Sequence, residues 1–528
     1  INSLTLDNLP NVSHLNYSGG QCYETTNQLE FNNLPSLVDL KVMDPLLDNL
    51  TINDLPNLYS LKIESNELGS LVLSNLPQLH DLDYRMTWHY GVIPPLPVLD
   101  ISNFPNLYSI YLKGVTGNLV VQNLPSLHSF IFDYQYALSI YDLYPIDYTF
   151  NSLPSLYHLE LNNIQTNNLV MSNLPSLNTL KMQEAVIGNS YTFQNLPVET
   201  IALDYVKLQN ISFSNLPNIK NVSLINFYSY LNSLAFTNIP TLETFELLGN
   251  GIDNNLNSLD FSGFQNLRSI IVKYSLSNLI LNNMPSLNYL NTTGNRFSTL
   301  NLVSLPNLEE FIHNGNYWQD LTINLKNLPS LSKVDVSFNQ EYLDSLDLSE
   351  CPNLNELHFV RYLNTVEYDF PLDYLNLRNG NPNLQVLDIN PVNSICVDDE
   401  DEKELLQNLS SNLDDTVFTS YCDLNPAGTF FVFQGNNIFD FDNDGCDAND
   451  SYMSNVKYAV ASQNGVDNLI ANESGSYSIP VQEGANTITP ILENPSYFNV
   501  APATVSVTFP ATASPFTQNF CITPNGLH

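Results

Sequence analysis

LPNLYSLKIESNELGSLVLSNLP, residues 55–77, is the stretch that determines the fold of most of this chain. Its first half places apolar residues at Leu58, Leu61 and Ile63, and such alternation is typical of a strand with one buried face. Its second half alternates again before another Asn-Leu-Pro junction. Because proline opposes a long helix at each junction, we expect extended backbone in both halves and almost no helix.

The same unit recurs up to about residue 390, with a Leu-Pro-x-Leu type of junction between copies. Sixteen junctions contain proline and Gln265 occupies one more, which gives 17 copies. We expect the asparagine of each LxxLxLxxNxL copy to bond neighbouring backbone amides in a turn. Each copy can bury its leucines only against its neighbours, so the copies should stack in one array. The junction prolines lie at positions 10, 35, 56, 77, 105, 125, 154, 175, 197, 217, 240, 285, 306, 329, 352 and 382.

LxxLxLxxNxL is the leucine-rich-repeat signature, and residues 1 to about 390 resemble that family over their whole length. The predicted fold class is mainly β: a leucine-rich-repeat solenoid of about 17 repeats with an extended convex side, followed by a small Ig-like β-sandwich domain. The predicted boundaries are 1–395 for the solenoid, 396–425 for a C-terminal cap and 426–528 for the sandwich.

The charge balance excludes several classes of partner. Sixteen Lys and Arg residues stand against 54 Asp and Glu residues, a net charge of −38. Nucleic acid and anionic lipid both require clustered cations, so neither is an expected partner. No apolar run is long enough for a membrane helix, so we expect no direct membrane insertion by this chain. The charge itself fits either solubility or an affinity for divalent cations.

Two insertions in the array are candidates for ligand binding. Residues 85–98 contain Trp88 and Tyr90, and residues 133–147 contain Tyr134 and Tyr136. They lie two copies apart, and Tyr111 is expected to point outward from a strand between them. Aromatic planes beside Asn and Asp suit sugar rings or the main contacts of a protein partner. The alternative is that these long loops pack on themselves and on the array.

The segment after the array predicts a cap. Cys396 is followed by an acidic run and then by the segment most typical of a helix, and carboxylates are favoured at a helix N-terminus. The open end of a solenoid needs a cover, and a short helix closed by a Cys396–Cys422 disulfide would supply it. In the next segment we expect Cys446 to pair with Cys521. Disulfides indicate an oxidising, extracellular setting.

Short alternating runs separated by Gly, Asn and Pro predict a β-sandwich after residue 426, and an acidic loop lies near its start. The loop, DFDNDGCDAND, resembles the start of EF-hand and dockerin calcium loops, although Ser451 stands where an EF-hand has its bidentate glutamate. It also resembles the calcium-bearing opening of B-type repeat domains in bacterial surface adhesins. The alternative is an Asp- and Asn-rich turn without metal. The candidate calcium ligands are Asp440, Asp442, Asp444, Asp447 and Asp450.

The array and the segments GNNIFDFDNDGCD, YSIPVQEGANTITPILENPSYFNV and FCITPNG together resemble large secreted surface proteins of gliding and biofilm-forming Bacteroidota. That resemblance implies export by the type IX secretion machinery and a place at the cell surface. We therefore expect an adhesin whose repeats hold a glycan or protein ligand. The alternative is a structural filament or surface-layer spacer without a specific soluble ligand. We expect no enzyme activity, because HExxH, GxSxG, P-loop and dinucleotide motifs do not occur in the sequence.

Overall fold

A computed structural model of the chain is mainly β, with 50% of residues in strands and 3% in helix, and builds a parallel β-solenoid of about 16 turns. The expectations of a repeat array, extended backbone and little helix are confirmed, and the 17 copies correspond to about 16 turns. The structure describes residues 3–19, 26–65, 68–86, 96–114, 117–134, 147–227, 231–249, 256–273, 276–314, 320–337, 343–360, 372–381, 384–389, 391–398, 400–413, 416–419, 431–462, 465–471 and 474–525.

The chain divides into two compact units. Unit 1 comprises residues 1–259 and 269–275, and unit 2 comprises residues 260–268 and 276–528. Each solenoid turn has a front strand, which follows the Pro-x-Leu junction, and a back strand, which precedes the next junction. The domain boundaries predicted at residues 395 and 425 stay predictions.

The front strands of unit 1 pair in parallel and in register, so that Ser60 lies opposite Asp81 and Leu61 opposite Leu82. Their burial alternates, with the second and fourth residues of each strand turned inward. They are β2 (His14–Ser18), β4 (Asp39–Met43), β6 (Ser60–Glu64), β8 (Asp81–Arg85), β10 (Ser109–Lys113), β12 (Ser129–Asp133), β14 (His158–Asn162), β17 (Thr179–Gln183), β20 (Thr200–Asp204), β22 (Asn221–Ile225), β24 (Thr244–Leu248) and β26 (Ser269–Lys273).

The back strands of unit 1 also pair in parallel, as Leu50 does with Leu71. They are β1 (Ser3–Asp7), β3 (Gln28–Asn32), β5 (Asn49–Asn53), β7 (Ser70–Ser74), β9 (Leu96–Ser102), β11 (Gly117–Gln122), β13 (Tyr148–Asn151), β16 (Leu169–Ser172), β19 (Ser190–Gln194), β21 (Asn210–Ser214), β23 (Ser233–Thr237) and, at the unit boundary, β25 (Ser258–Asp260). Two short strands, β15 (Gln165–Thr166) and β18 (Val186–Ile187), lie between front and back strands and pair with each other.

The Asn-Leu-Pro-x-Leu junction is a tight turn with a distinct task for each residue. Asn75 has φ of 53°, in the left-handed region that asparagine tolerates better than most residues. Pro77 is the second residue of a β-turn, a position that its fixed φ favours, and the Leu79 N–H donates to the Leu76 carbonyl at 3.2 Å. Leu76 and Leu79 are both buried. The junction therefore reverses the chain while keeping its leucines in the core.

The residue after the junction proline ties each turn to the one before it. Asn57 Nδ2 donates to the Pro35 carbonyl at 2.7 Å, and Ser126 Oγ donates to the Pro105 carbonyl at 2.7 Å. Each such bond is worth about 1 kcal/mol and satisfies a carbonyl that proline leaves outside the strand ladders. The same contact recurs at Asn106, Ser155, Ser176, Asn218, Thr241, Asn307, Ser330 and Asn353.

Unit 2 contains further front and back strands of the same kind, followed by a helix and a separate group of strands. The front strands are β28 (Tyr289–Asn291), β30 (Glu310–Ile312), β32 (Lys333–Asp335), β34 (Glu356–Phe359) and β36 (Val386–Ile389). The back strands are β27 (Asn278–Ile280), β29 (Thr299–Val303), β31 (Thr322–Lys326), β33 (Ser345–Asp347), β35 (Leu372–Asn376) and β37 (Val392–Cys396).

The helix expected after the array is present. Helix α1 (Glu400–Leu409) begins inside the acidic run and is followed by a 3-10 turn, Ser411–Leu413. Glu402 is buried and reaches back to accept the Asp398 N–H at 2.6 Å, which satisfies a backbone donor just before the helix. Lys403 is also buried, and its ammonium donates to Asn455 Oδ1 at 3.1 Å. The helix is thereby attached to the segment that follows it.

Two sheets, formed by strands from Val417 onward, enclose a separate core. The strands are β38 (Val417–Thr419), β39 (Phe431–Phe439), β40 (Ser451–Tyr452), β41 (Lys457–Ser462), β42 (Gly465–Ile470), β43 (Ser476–Val481), β44 (Gly484–Ile491), β45 (Phe498–Ala501), β46 (Val505–Phe509), β47 (Phe516–Thr517) and β48 (Phe520–Pro524). One sheet is built around β39, and the other contains β42, β41, β44 and β46. Phe433, Tyr458 and Phe520 are at the centre of the core.

Strand β38 joins this C-terminal segment to the solenoid. It pairs in parallel with the back strand β37 and antiparallel with β42, so one eight-stranded sheet runs from β33 to β46. Val417 of β38 packs in the core formed with Phe433 and Tyr458. Among the described helices, none is long and apolar enough to cross a membrane.

Candidate functional site

Two of the five predicted ligand-binding aromatics are described, and Trp88, Tyr90 and Tyr136 lie outside the described residues. Tyr111 is half-buried on the outward face of β10, with the Arg85 guanidinium 4.8 Å from its ring centroid. Burial is the main reason that the pKa of Tyr111 is raised. Tyr134 follows β12, is also half-buried, and its N–H donates to the Asn162 carbonyl at 3.0 Å.

Ion pairs lie on the two front strands that precede the strand of Tyr111. Arg85 Nε donates to Asp83 Oδ1 at 2.7 Å, and Lys62 Nζ lies 2.8 Å from Glu64 Oε1. The hydrogen bond from Lys62 is the main cause of the lowered pKa of Glu64. The face around Tyr111 therefore combines an aromatic ring with both signs of charge, all on neighbouring strands.

A second aromatic feature on the same turns was missed by sequence reasoning. The rings of Tyr59, His80, Tyr108, His128 and Tyr157 form a continuous stack, here called the aromatic column. Successive ring centroids are 4.5, 4.9, 4.9 and 5.0 Å apart, and adjacent planes differ by 12° or less. Tyr59, Tyr108 and Tyr157 are each more than 40% exposed.

The geometry of the aromatic column limits what it can bind. Its ring separation matches the strand spacing of about 4.8 Å, so each inner ring has both faces covered by its neighbours. A sugar ring that stacks on an aromatic residue needs a free face, which the inner rings do not offer. The edge of the central ring stays accessible, since Tyr108 is 41% exposed, whereas His80 Nδ1 is engaged by Asp81 Oδ2 at 3.1 Å. The sequence signal is an aromatic residue three positions after the junction proline in five successive copies.

The acidic loop begins where β39 ends. Asp440 is 2% exposed, whereas Asp442 and Asp444 are exposed, and one carboxylate oxygen of each lies within 4.8 Å of the other two. Gly445 has φ of 103°, a value that L side chains rarely adopt, and this turns the chain back toward Asp440. The Gly445 N–H donates to Asp440 Oδ2 at 3.2 Å. The loop thus brings together three of the five predicted calcium ligands.

The two carboxylate oxygens of Asp440 differ in their hydrogen-bond partners, and this difference indicates whether the loop suits a cation. Thr523 Oγ1 also donates to Asp440 Oδ2, at 3.0 Å, while Oδ1 is buried without a hydrogen-bond partner among the described residues. A buried carboxylate oxygen without a partner carries a large desolvation cost. Calcium prefers carboxylate oxygens, so this oxygen and the two exposed aspartates suit Ca²⁺.

The other two predicted ligands belong to a separate turn. The Asp447 N–H donates to Asp450 Oδ2 at 2.7 Å, and the Asn449 N–H donates to Asp447 Oδ1 at 2.7 Å. Neither Asp447 nor Asp450 belongs to the cluster of three carboxylates. The charge of Asp442 is the main cause of the raised pKa of Asp444, as expected for carboxylates held close together.

Three of the four cysteines in the described residues lie at the cap or beside this loop, and Cys351 lies in the solenoid. Cys446 and Cys521 form a disulfide, as predicted. Cys396 is also disulfide-bonded, and Cys422, its predicted partner, lies outside the described residues. Cys351 is a buried free thiol, and burial raises its pKa to about 12, so it is poorly nucleophilic.

In comparisons with known proteins, no family model matches this chain and no curated protein matches its sequence. The inference of function therefore rests on two places: the front face of unit 1 around Tyr111, and the acidic loop around Asp440.

Proposed function

We propose that this chain is a secreted cell-surface adhesin whose front face in unit 1 engages a glycan or protein ligand. The observation that carries the proposal is the half-exposed Tyr111 with the Arg85 guanidinium over its ring. Tyrosine and arginine are enriched among the residues that dominate binding energy at interfaces. The aromatic column on the same turns adds exposed ring edges and hydroxyls beside them. We propose no enzyme activity.

The test compares substitutions of outward-facing side chains on the front strands of unit 1. Tyr111→Ala and Arg85→Ala in the full chain should weaken binding to the best ligand on a glycan and protein array by about 30-fold each, the usual effect of losing a dominant contact. Lys181→Ala is the matched control, because Lys181 occupies the equivalent outward position on β17, two strands beyond β12 in register. If Tyr111→Ala and Arg85→Ala bind the ligand as tightly as Lys181→Ala and the wild type do, the ligand does not bind at this face.

The finer identity belongs to the same proposal. We propose that the solenoid is a leucine-rich-repeat array, that the C-terminal β domain is Ig-like, and that the type IX secretion machinery exports the protein. The repeat signature and the resemblance to gliding and biofilm surface proteins support this. The Cys446–Cys521 disulfide also suits an extracellular location, since cytosolic thiols stay reduced.

We propose calcium as the cofactor of the acidic loop. The buried, unpartnered Oδ1 of Asp440 beside two exposed carboxylates supports it. Calcium that binds only the folded chain raises its stability by mass action. Thermal unfolding of the full chain should therefore shift upward with CaCl₂ and back with EDTA, and Asp442→Asn should remove the shift. Wild-type protein that melts at one temperature under both conditions would overturn the calcium assignment.

A further inference from the structure

Two distant segments of the chain meet at one carboxylate oxygen. Asp440 Oδ2 accepts the Gly445 N–H from the acidic loop and the Thr523 hydroxyl from β48, which lies 83 residues further along the chain. With Oδ2 held by two donors, the buried Asp440 side chain cannot rotate freely. Its other oxygen, Oδ1, is thereby fixed in place without a partner among the described residues. The orientation of the central carboxylate thus depends on β48 as well as on the loop.

The disulfide joins the same two segments. Cys446 directly follows Gly445, and Cys521 precedes Thr523 by two residues. Parallel pairing of β39 with β48 places Ile438 opposite Cys521, next to the start of the loop. The covalent link therefore holds both hydrogen-bond donors of Asp440 Oδ2 in position. Without it, the like charges of the three loop carboxylates, which have oxygens within 4.8 Å of one another, would favour separation of the loop.

We propose that Thr523 and the Cys446–Cys521 disulfide are positioning elements of the cation site, so that the loop has its full calcium affinity only with β48 docked and the disulfide closed. This inference rests on the proposed calcium site. Neither Thr523 nor the sulfurs touch the cation. They act by fixing Asp440, as outer-shell partners fix metal ligands in general. The site would then form only in an oxidising compartment, where the disulfide persists.

The experiment is a calorimetric titration of the full chain with CaCl₂. Thr523→Val and Thr523→Ala should each weaken calcium binding by about 10- to 100-fold, the usual effect of losing an outer-shell partner. The double substitution C446A/C521A should weaken it similarly, and it leaves the other disulfide intact, which chemical reduction would not. Thr523→Ser keeps the hydroxyl and should retain wild-type affinity.

Thr487→Val is the matched control, because it removes a threonine hydroxyl from the exposed contact with Ser506 in the other sheet. Its calcium affinity should equal that of the wild type. If the wild type binds calcium and Thr523→Val, Thr523→Ala and C446A/C521A bind equally well, the positioning role is wrong and the calcium site stands. If the wild type gives no calcium heat, the calcium site itself is wrong, and the inference fails with it.

Discussion

Removing the central ring of the aromatic column should loosen the front strands on both sides of it. Tyr108 stacks on His80 and on His128, each with a centroid separation of 4.9 Å. A stacked aromatic pair contributes about 0.5–1.5 kcal/mol beyond the burial of its surface, so Tyr108→Ala should cost about 1–3 kcal/mol from two pairs. The loss should be local, because a repeat array is stabilised by contacts between neighbouring turns.

Native-state hydrogen exchange is the suitable assay, since a long repeat array need not unfold in one step. The informative amides are those of β10 and the Tyr108 N–H, which donates to the His80 carbonyl at 2.8 Å. Their exchange should accelerate by roughly 5- to 150-fold, the factor that corresponds to a loss of 1–3 kcal/mol. Amides of β22, further along unit 1, should exchange at the wild-type rate.

Two controls separate ring stacking from other causes. Tyr108→Phe keeps the ring and loses only the hydroxyl, so its exchange should match the wild type. Asn178→Ala changes the same repeat position one turn beyond the column, where a surface substitution should alter stability by less than about 0.5 kcal/mol. Equal acceleration in Tyr108→Phe, or none in Tyr108→Ala, would refute the argument that ring stacking stabilises these turns.

Three further predictions concern single side chains. Asn195, with φ of 55°, should tolerate glycine, whereas Asn195→Ala should lower the free energy of local opening by about 1 kcal/mol in hydrogen exchange. Lys62→Gln should bring the pKa of Glu64 back up in an NMR titration, because the hydrogen bond from Lys62 is the main cause of the lowered pKa. In the wild type, the lowered pKa of Glu64 stabilises the fold. This contribution is complete above the ordinary glutamate pKa and is lost as pH falls through the lowered value. Without calcium, Asp444→Asn should melt no lower than the wild type, because it removes repulsion from Asp442, yet it should lose the calcium-induced shift.

The sequence predicted those parts of the fold that depend on local periodicity. The alternation at Leu61 and Ile63 led to the front strands, and the acidic run after Asp398 led to helix α1. The sequence did not reveal why asparagine precedes so many junctions. From the sequence, proline predicts only that no long helix forms, whereas the structure places it as the second residue of a turn entered from a left-handed residue such as Asn75. The asparagine of the LxxLxLxxNxL pattern at Asn66 lies outside the described residues.

The candidate sites were predicted less completely, because their geometry depends on contacts between distant residues. By spacing alone, the five aspartates of the acidic loop are equally good candidates for calcium ligands. The structure places Asp447 in a turn of its own and gives Asp440 a partner, Thr523, that no local pattern indicates. The aromatic column had a sequence signal, since Tyr59 and His80 occupy the same position in successive copies. The signal is weak because tyrosine and histidine alternate there, so that no single residue type repeats.

The single strand β38 has a consequence for how this molecule could be rearranged by recombination or engineering. Its backbone hydrogen bonds pair it with β37 of the solenoid, whereas its Val417 side chain packs in the core of the C-terminal segment. If the C-terminal segment were separated from the solenoid with β38 included, the edge of β38 that pairs with β37 would be exposed. If it were separated without β38, its core would lack Val417. The solenoid and the C-terminal β segment therefore cannot be exchanged independently at this boundary, and we expect recombination to move them together.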